Sequence, residues 1–152
     1  MIIGNKKFLG IVVLGLLWCN ISFAQSLKPL QKYIDENANS INDPVVVSYM
    51  LKRCGAVYIF ASAITKDTDK DTAEAMRRIS NDAILNAGKI LIEKLKWSKE
   101  ETTKNLETDL TKMVEYYKKD GSNFFARTGL YMQDNYIADD VYICGELMKK
   151  FK

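Results

Sequence analysis

The chain has 152 residues, with 22 lysines and arginines against 19 aspartates and glutamates, and no histidine. Without imidazole there is no Ser/His or Cys/His catalytic pair, no Glu-x-x-His di-iron ligand set and no Cys-x-x-Cys-His haem attachment, and zinc lacks its usual ligands. The small positive balance is not clustered, so it supplies no electrostatic basis for binding nucleic acid or an anionic membrane.

The first residues set an expectation about address. Lys6 and Lys7 precede an apolar stretch from Phe8 to Cys19, no acidic residue occurs before Asp35, and Ser22-Phe23-Ala24 places small residues where a leader peptidase cuts. The stretch is shorter than the ~20 apolar residues of a spanning helix, so residues 1–24 read as a secretory signal cleaved after Ala24. Trp18 is too bulky for the residue preceding a lipidated cysteine, which argues against a lipid on Cys19. Removal of the leader takes away two lysines and no acid, leaving residues 25–152 close to neutral as one domain, expected in the periplasm or outside the cell. No stable membrane insertion is expected after cleavage.

Cys54 and Cys144 then remain, and two cysteines in an oxidising compartment are most simply read as one disulfide. Closing a loop of roughly 90 residues would stabilise the fold by about 4–5 kcal/mol on the chain-entropy model.

In chain order, the spacing of Leu27, Leu30 and Ile34 predicts a short amphipathic helix over 26–38, with a polar exit at Asn37 to Ser40. Asp43-Pro44 opens the first long helix, because the aspartate can accept from free first-turn amides and proline suits the first helical position. That helix should run to about Thr65, with a stripe through Val47, Met50, Leu51, Cys54, Val57, Tyr58, Ala61 and Ile64; Lys52 and Arg53 interrupt it and argue against a membrane span. Thr68 and Asp71 look like a capping pair for a second long helix reaching Lys96.

Ser98 and Glu101 match the capping box better and should open a third helix carrying Leu106, Leu110, Met113, Val114 and Tyr117. Lys118-Lys119-Asp120-Gly121 predicts its end, with basic residues in the last turn and a glycine stop. From Ser122 a final helical region should reach about Phe151, broken near Gln133 to Tyr136. The expected fold is therefore all-α: an up-and-down bundle of about four helices plus a short N-terminal one, with the first and last long helices joined through Cys54 and Cys144.

Candidate chemistry is sparse. Asp67-Thr68-Asp69-Lys70-Asp71 alternates carboxylates as a calcium loop does, but Thr72 stands where the turn needs glycine and Arg78 where a bidentate glutamate should close the site. An acidic helix entry explains the same residues. Adjacent carboxylates such as Glu100-Glu101 and Asp139-Asp140 point apart on a helix, so solvated faces are expected for them and for Lys118-Lys119 and Lys149-Lys150. No catalytic residue, cofactor or metal is expected.

Tyr116, Tyr117, Tyr131, Tyr136 and Tyr142 form the candidate interaction surface, since tyrosine joins a large apolar body to a polar tip. These features point to a non-enzymatic exported protein that binds another protein, in an immunity, inhibitor or accessory role. The competing expectation is a small-molecule or lipid carrier, with Phe124, Phe125, Tyr131 and Met132 opening an apolar cavity at the helix break. An enzyme using only carboxylates, lysine or tyrosine is a weaker third.

Overall fold

The computed structural model describes residues 27–151, so the leader reading for residues 1–24, Cys19 included, lies outside the described residues. All regular structure among the described residues is helical: α1 (Leu30–Glu36), a 3-10 turn at Ala38–Ser40, α2 (Pro44–Thr65), α3 (Lys70–Glu93), α4 (Lys99–Thr128), α5 (Tyr136–Met148) and a 3-10 turn at Lys149–Phe151. The expected bundle is present, and Cys54 on α2 is bonded to Cys144 on α5 with their Cα atoms 5.2 Å apart.

The axis of the bundle is α2: α3, α4 and α5 all pack on it, and α1 packs chiefly on α5. Every residue from Leu51 to Tyr58 is buried, which a helix surrounded by neighbours requires and a one-sided stripe does not describe. By length and composition α2 could cross a membrane, but these side chains are covered by other helices of the same chain. Small residues let α3 approach closely. A Cβ on Gly55 would lie 2.7 Å from Ile84 Cγ1, and the Ser80 hydroxyl donates to the Gly55 carbonyl at 2.9 Å.

Local capping explains most helix starts. Asp43 accepts from the Val45 amide at 2.8 Å beside Pro44. At α4, Ser98 accepts from the Glu101 amide at 3.1 Å while Glu101 accepts from the Ser98 amide at 2.8 Å. The α3 start differs from the Thr68/Asp71 expectation. Asp69, in an extended conformation, accepts from the Thr72 amide at 3.0 Å and the Thr72 hydroxyl at 2.6 Å, whereas the Thr68 hydroxyl donates backwards to the Thr65 carbonyl. Helix α3 also stops at Glu93, short of Lys96, which adopts a left-handed φ of 61°.

Two boundaries require larger corrections. Helix α4 does not end at Gly121 but continues to Thr128, where Gly129 closes it at φ 76°. Gly121 is buried within the helix, and a Cβ there would sit 2.5 Å from Phe60 Cζ, so this glycine permits close approach to α2 rather than a stop. Ser122 is accordingly interior to α4, and the break before α5 spans Gly129 to Asn135. Asn135 caps α5 by accepting from the Ile137 and Ala138 amides, each at 3.1 Å. Helix α1 is likewise shorter than 26–38, because Pro29 is extended and helical geometry begins only at Leu30.

Candidate functional site

One turn from the disulfide, α2 and α5 share a polar network with no access to solvent. Arg53, Tyr117 and Asp140 are each 0% exposed. Arg53 pairs with Asp140 through Nη2, donates from Nε to the Tyr117 hydroxyl at 2.9 Å, and donates from Nη1 to the Lys28 carbonyl at 2.9 Å. Tyr117 in turn donates to Asp140 Oδ2 at 2.6 Å, and the Leu30 amide donates to Asp140 Oδ1 at 2.8 Å. The start of α1, which has no local side-chain cap, is thus capped by a carboxylate 110 positions away in sequence.

The electrostatics are self-consistent. Burial works to lower the Arg53 pKa, but the facing Tyr117 and Asp140 and the Tyr49 hydrogen bond outweigh it and raise the guanidinium above its ordinary value. Burial drives the Tyr117 phenol well above its usual range, Arg53 opposing and Asp140 adding to the effect. A buried ion pair is tolerated only where its remaining donors and acceptors are satisfied, and here both carboxylate oxygens are engaged. Closed on all sides, the network can hold helices together but offers no approach to a substrate.

Asp140 corrects the expectation of a solvated Asp139-Asp140 face, for only Asp139 is exposed. The sequence marks Asp140 only as half of an adjacent carboxylate pair and Arg53 only as a break in an apolar stripe, and no motif joins the two. The available signal was register: Asp140 lies four residues before Cys144, on the same helical face, and Arg53 adjoins Cys54.

The five candidate tyrosines do not form one surface. Tyr117 belongs to the core network, stacked near Phe60 and Tyr136 with ring centroids 6.4 and 6.2 Å apart. Tyr136 is half-buried, and its hydroxyl donates to Asp120; burial first, then this bond, raises its pKa. Tyr131 stacks on Phe125 at 4.4 Å and meets Phe60 edge-on at 6.3 Å. Tyr116 is half-buried on α4, and Tyr142 is 71% exposed on α5; both lie outside this ring chain.

What reaches solvent is a corner where α4 turns into α5. Phe125 is 43% and Leu130 45% exposed, Tyr131 underpins Phe125, and the Arg127 guanidinium lies 5.8 Å from the centre of the Phe124 ring. Beside it runs an open cleft of about 260 Å³ bordered by Asn123, Phe124, Arg127, Asn135 and Tyr136. Among the described residues no three acidic or cysteine side chains converge as a metal would require. Family models, curated proteins and solved structures give no match to this chain.

Proposed function

We propose that this is an exported helical protein that acts by binding another protein, in an inhibitor, immunity or accessory role, with the α4–α5 corner as its contact surface. The observation that carries the reading is the paired exposure of Phe125 and Leu130 on a turn fixed from beneath by Tyr131 and Phe60. Large apolar side chains on a preorganised support are what protein interfaces use as anchors, because little conformational freedom remains to be lost on binding. Arg127 and Asn123 beside them supply the polar rim. A carrier would need the space under the same aromatic residues, which Tyr131 fills by packing between Phe125 and Phe60.

The test is site-specific photo-crosslinking in the producing cell, with a photoreactive amino acid in place of Leu130 or, about 36 Å from that end of α4, in place of Lys104. The expected result is one protein adduct from the first position and none from the second, abolished by Phe125→Asp at an unchanged melting temperature. Equal adducts at both positions, or none at Leu130, would overturn the reading, and a small molecule retained in native mass spectrometry would favour the carrier.

A further inference from the structure

Helices α1 and α5 are attached to the molecule differently from the rest. Helix α1 has a single buried residue, Leu30, and packs chiefly on α5; α5 packs chiefly on α2. Three bonds of the buried network cross this seam: Arg53 to Asp140, Arg53 to the Lys28 carbonyl, and Tyr117 to Asp140. The Tyr58 hydroxyl donates across it to the Val141 carbonyl at 3.1 Å. The Leu30–Asp140 bond, by contrast, ties α1 to α5 within the layer. Cys144 lies within the layer on α5 and Cys54 faces it from α2, each 0% exposed.

We infer that α1 and α5 form one gate around the Cys54–Cys144 bond, latched by Arg53, Tyr117 and Asp140, and that reduction occurs only when these two helices unravel about the still-tethered Cys144 while α2, α3 and α4 stay folded. Thiol–disulfide exchange needs in-line access to a sulfur, and the closed seam denies it. Once these helices unravel, one thiolate of an external dithiol attacks one sulfur, the S–S bond breaks, and the other cysteine leaves as a thiolate and takes a proton. The second thiolate of the dithiol then displaces the remaining cysteine. Two electrons pass to the protein, and the dithiol closes its own disulfide.

The direct test is the rate of dithiothreitol reduction of the purified protein against urea concentration. Denaturant slopes scale with the surface exposed, so a gate made of α1 and α5 predicts a slope roughly a third of that for global unfolding of the same protein. A slope equal to the global one, or no slope at all, would contradict the gate. Asp140→Asn should speed reduction on the order of a hundredfold by weakening the buried pair. Should that variant not fold, Tyr117→Phe, which loses only a hydroxyl, should speed it about five- to tenfold. Lys52→Met, which breaks an ion pair on the α4 side of α2, should leave the rate within about twofold; acceleration matching that of the latch variants would overturn the inference.

Discussion

Lys52 and Arg53 are consecutive on α2, yet they tie it to two different regions under different conditions. Lys52 reaches α4, pairing with Asp109 and donating to Asn105 at 3.0 Å, where the two ionic side chains are 9% and 31% exposed. Arg53 reaches α5 and the start of α1 in a fully dry interior. The planar guanidinium serves Asp140, Tyr117, Lys28 and Tyr49 at once, whereas an ammonium acts as a compact charge on a flexible stem. The same nominal interaction is therefore partly solvated on one side of the helix and fully enclosed on the other. The α2–α3–α4 body relies on close-packed small residues, while the α1–α5 layer relies on a few concentrated bonds.

Removing the covalent bond should break this contrast most severely. Replacing Cys54 and Cys144 by serine is expected to cost about 4–5 kcal/mol, read as a large fall in melting temperature. Asp140→Ala comes next, at about 3–5 kcal/mol, because it leaves Arg53 buried without its counter-charge and α1 without its cap; urea titration would measure it. The Tyr117 phenol sharpens the comparison through pH. Its folded pKa is raised while the unfolded value stays near 10, so the native state retains a proton that the unfolded chain gives up. Stability should hold below about pH 10 and fall above it, with Tyr117 alone contributing up to ~1.4 kcal/mol per pH unit. Tyrosinate absorbance should show the Tyr117 and Tyr136 phenols withheld until helical circular dichroism is lost, and Tyr117→Phe should reduce the withheld amplitude by one phenol. Lys52→Met should change stability least, by no more than ~1 kcal/mol.

The parts of the fold legible in the sequence are those written locally. Asp43-Pro44 and Ser98/Glu101 cap helices with neighbouring amides, so spacing alone discloses them. Cys54 and Cys144 were legible by parity and by lying on apolar faces. Gly121 was not, because basic residues before a glycine look the same whether the glycine ends a helix or admits a ring from another one, and only Phe60, on α2, decides. The buried network is non-local for the same reason: apart from Tyr49, its partners are 23 to 110 positions apart. Nothing local separates Tyr117 from the four partly or fully exposed tyrosines; only Arg53 and Asp140 around it do. The corner was half legible, since Phe125 and Tyr131 were marked by type, but Leu130 beside them carried no motif.

Native-state hydrogen exchange in low urea tests the contrast between layer and body most directly. Amides of α1 and α5 should share one opening, lower in free energy and weaker in urea dependence than that of the α2, α3 and α4 core, with Asp140→Asn lowering it selectively. Exchange of all five helices at a single global free energy would contradict that contrast.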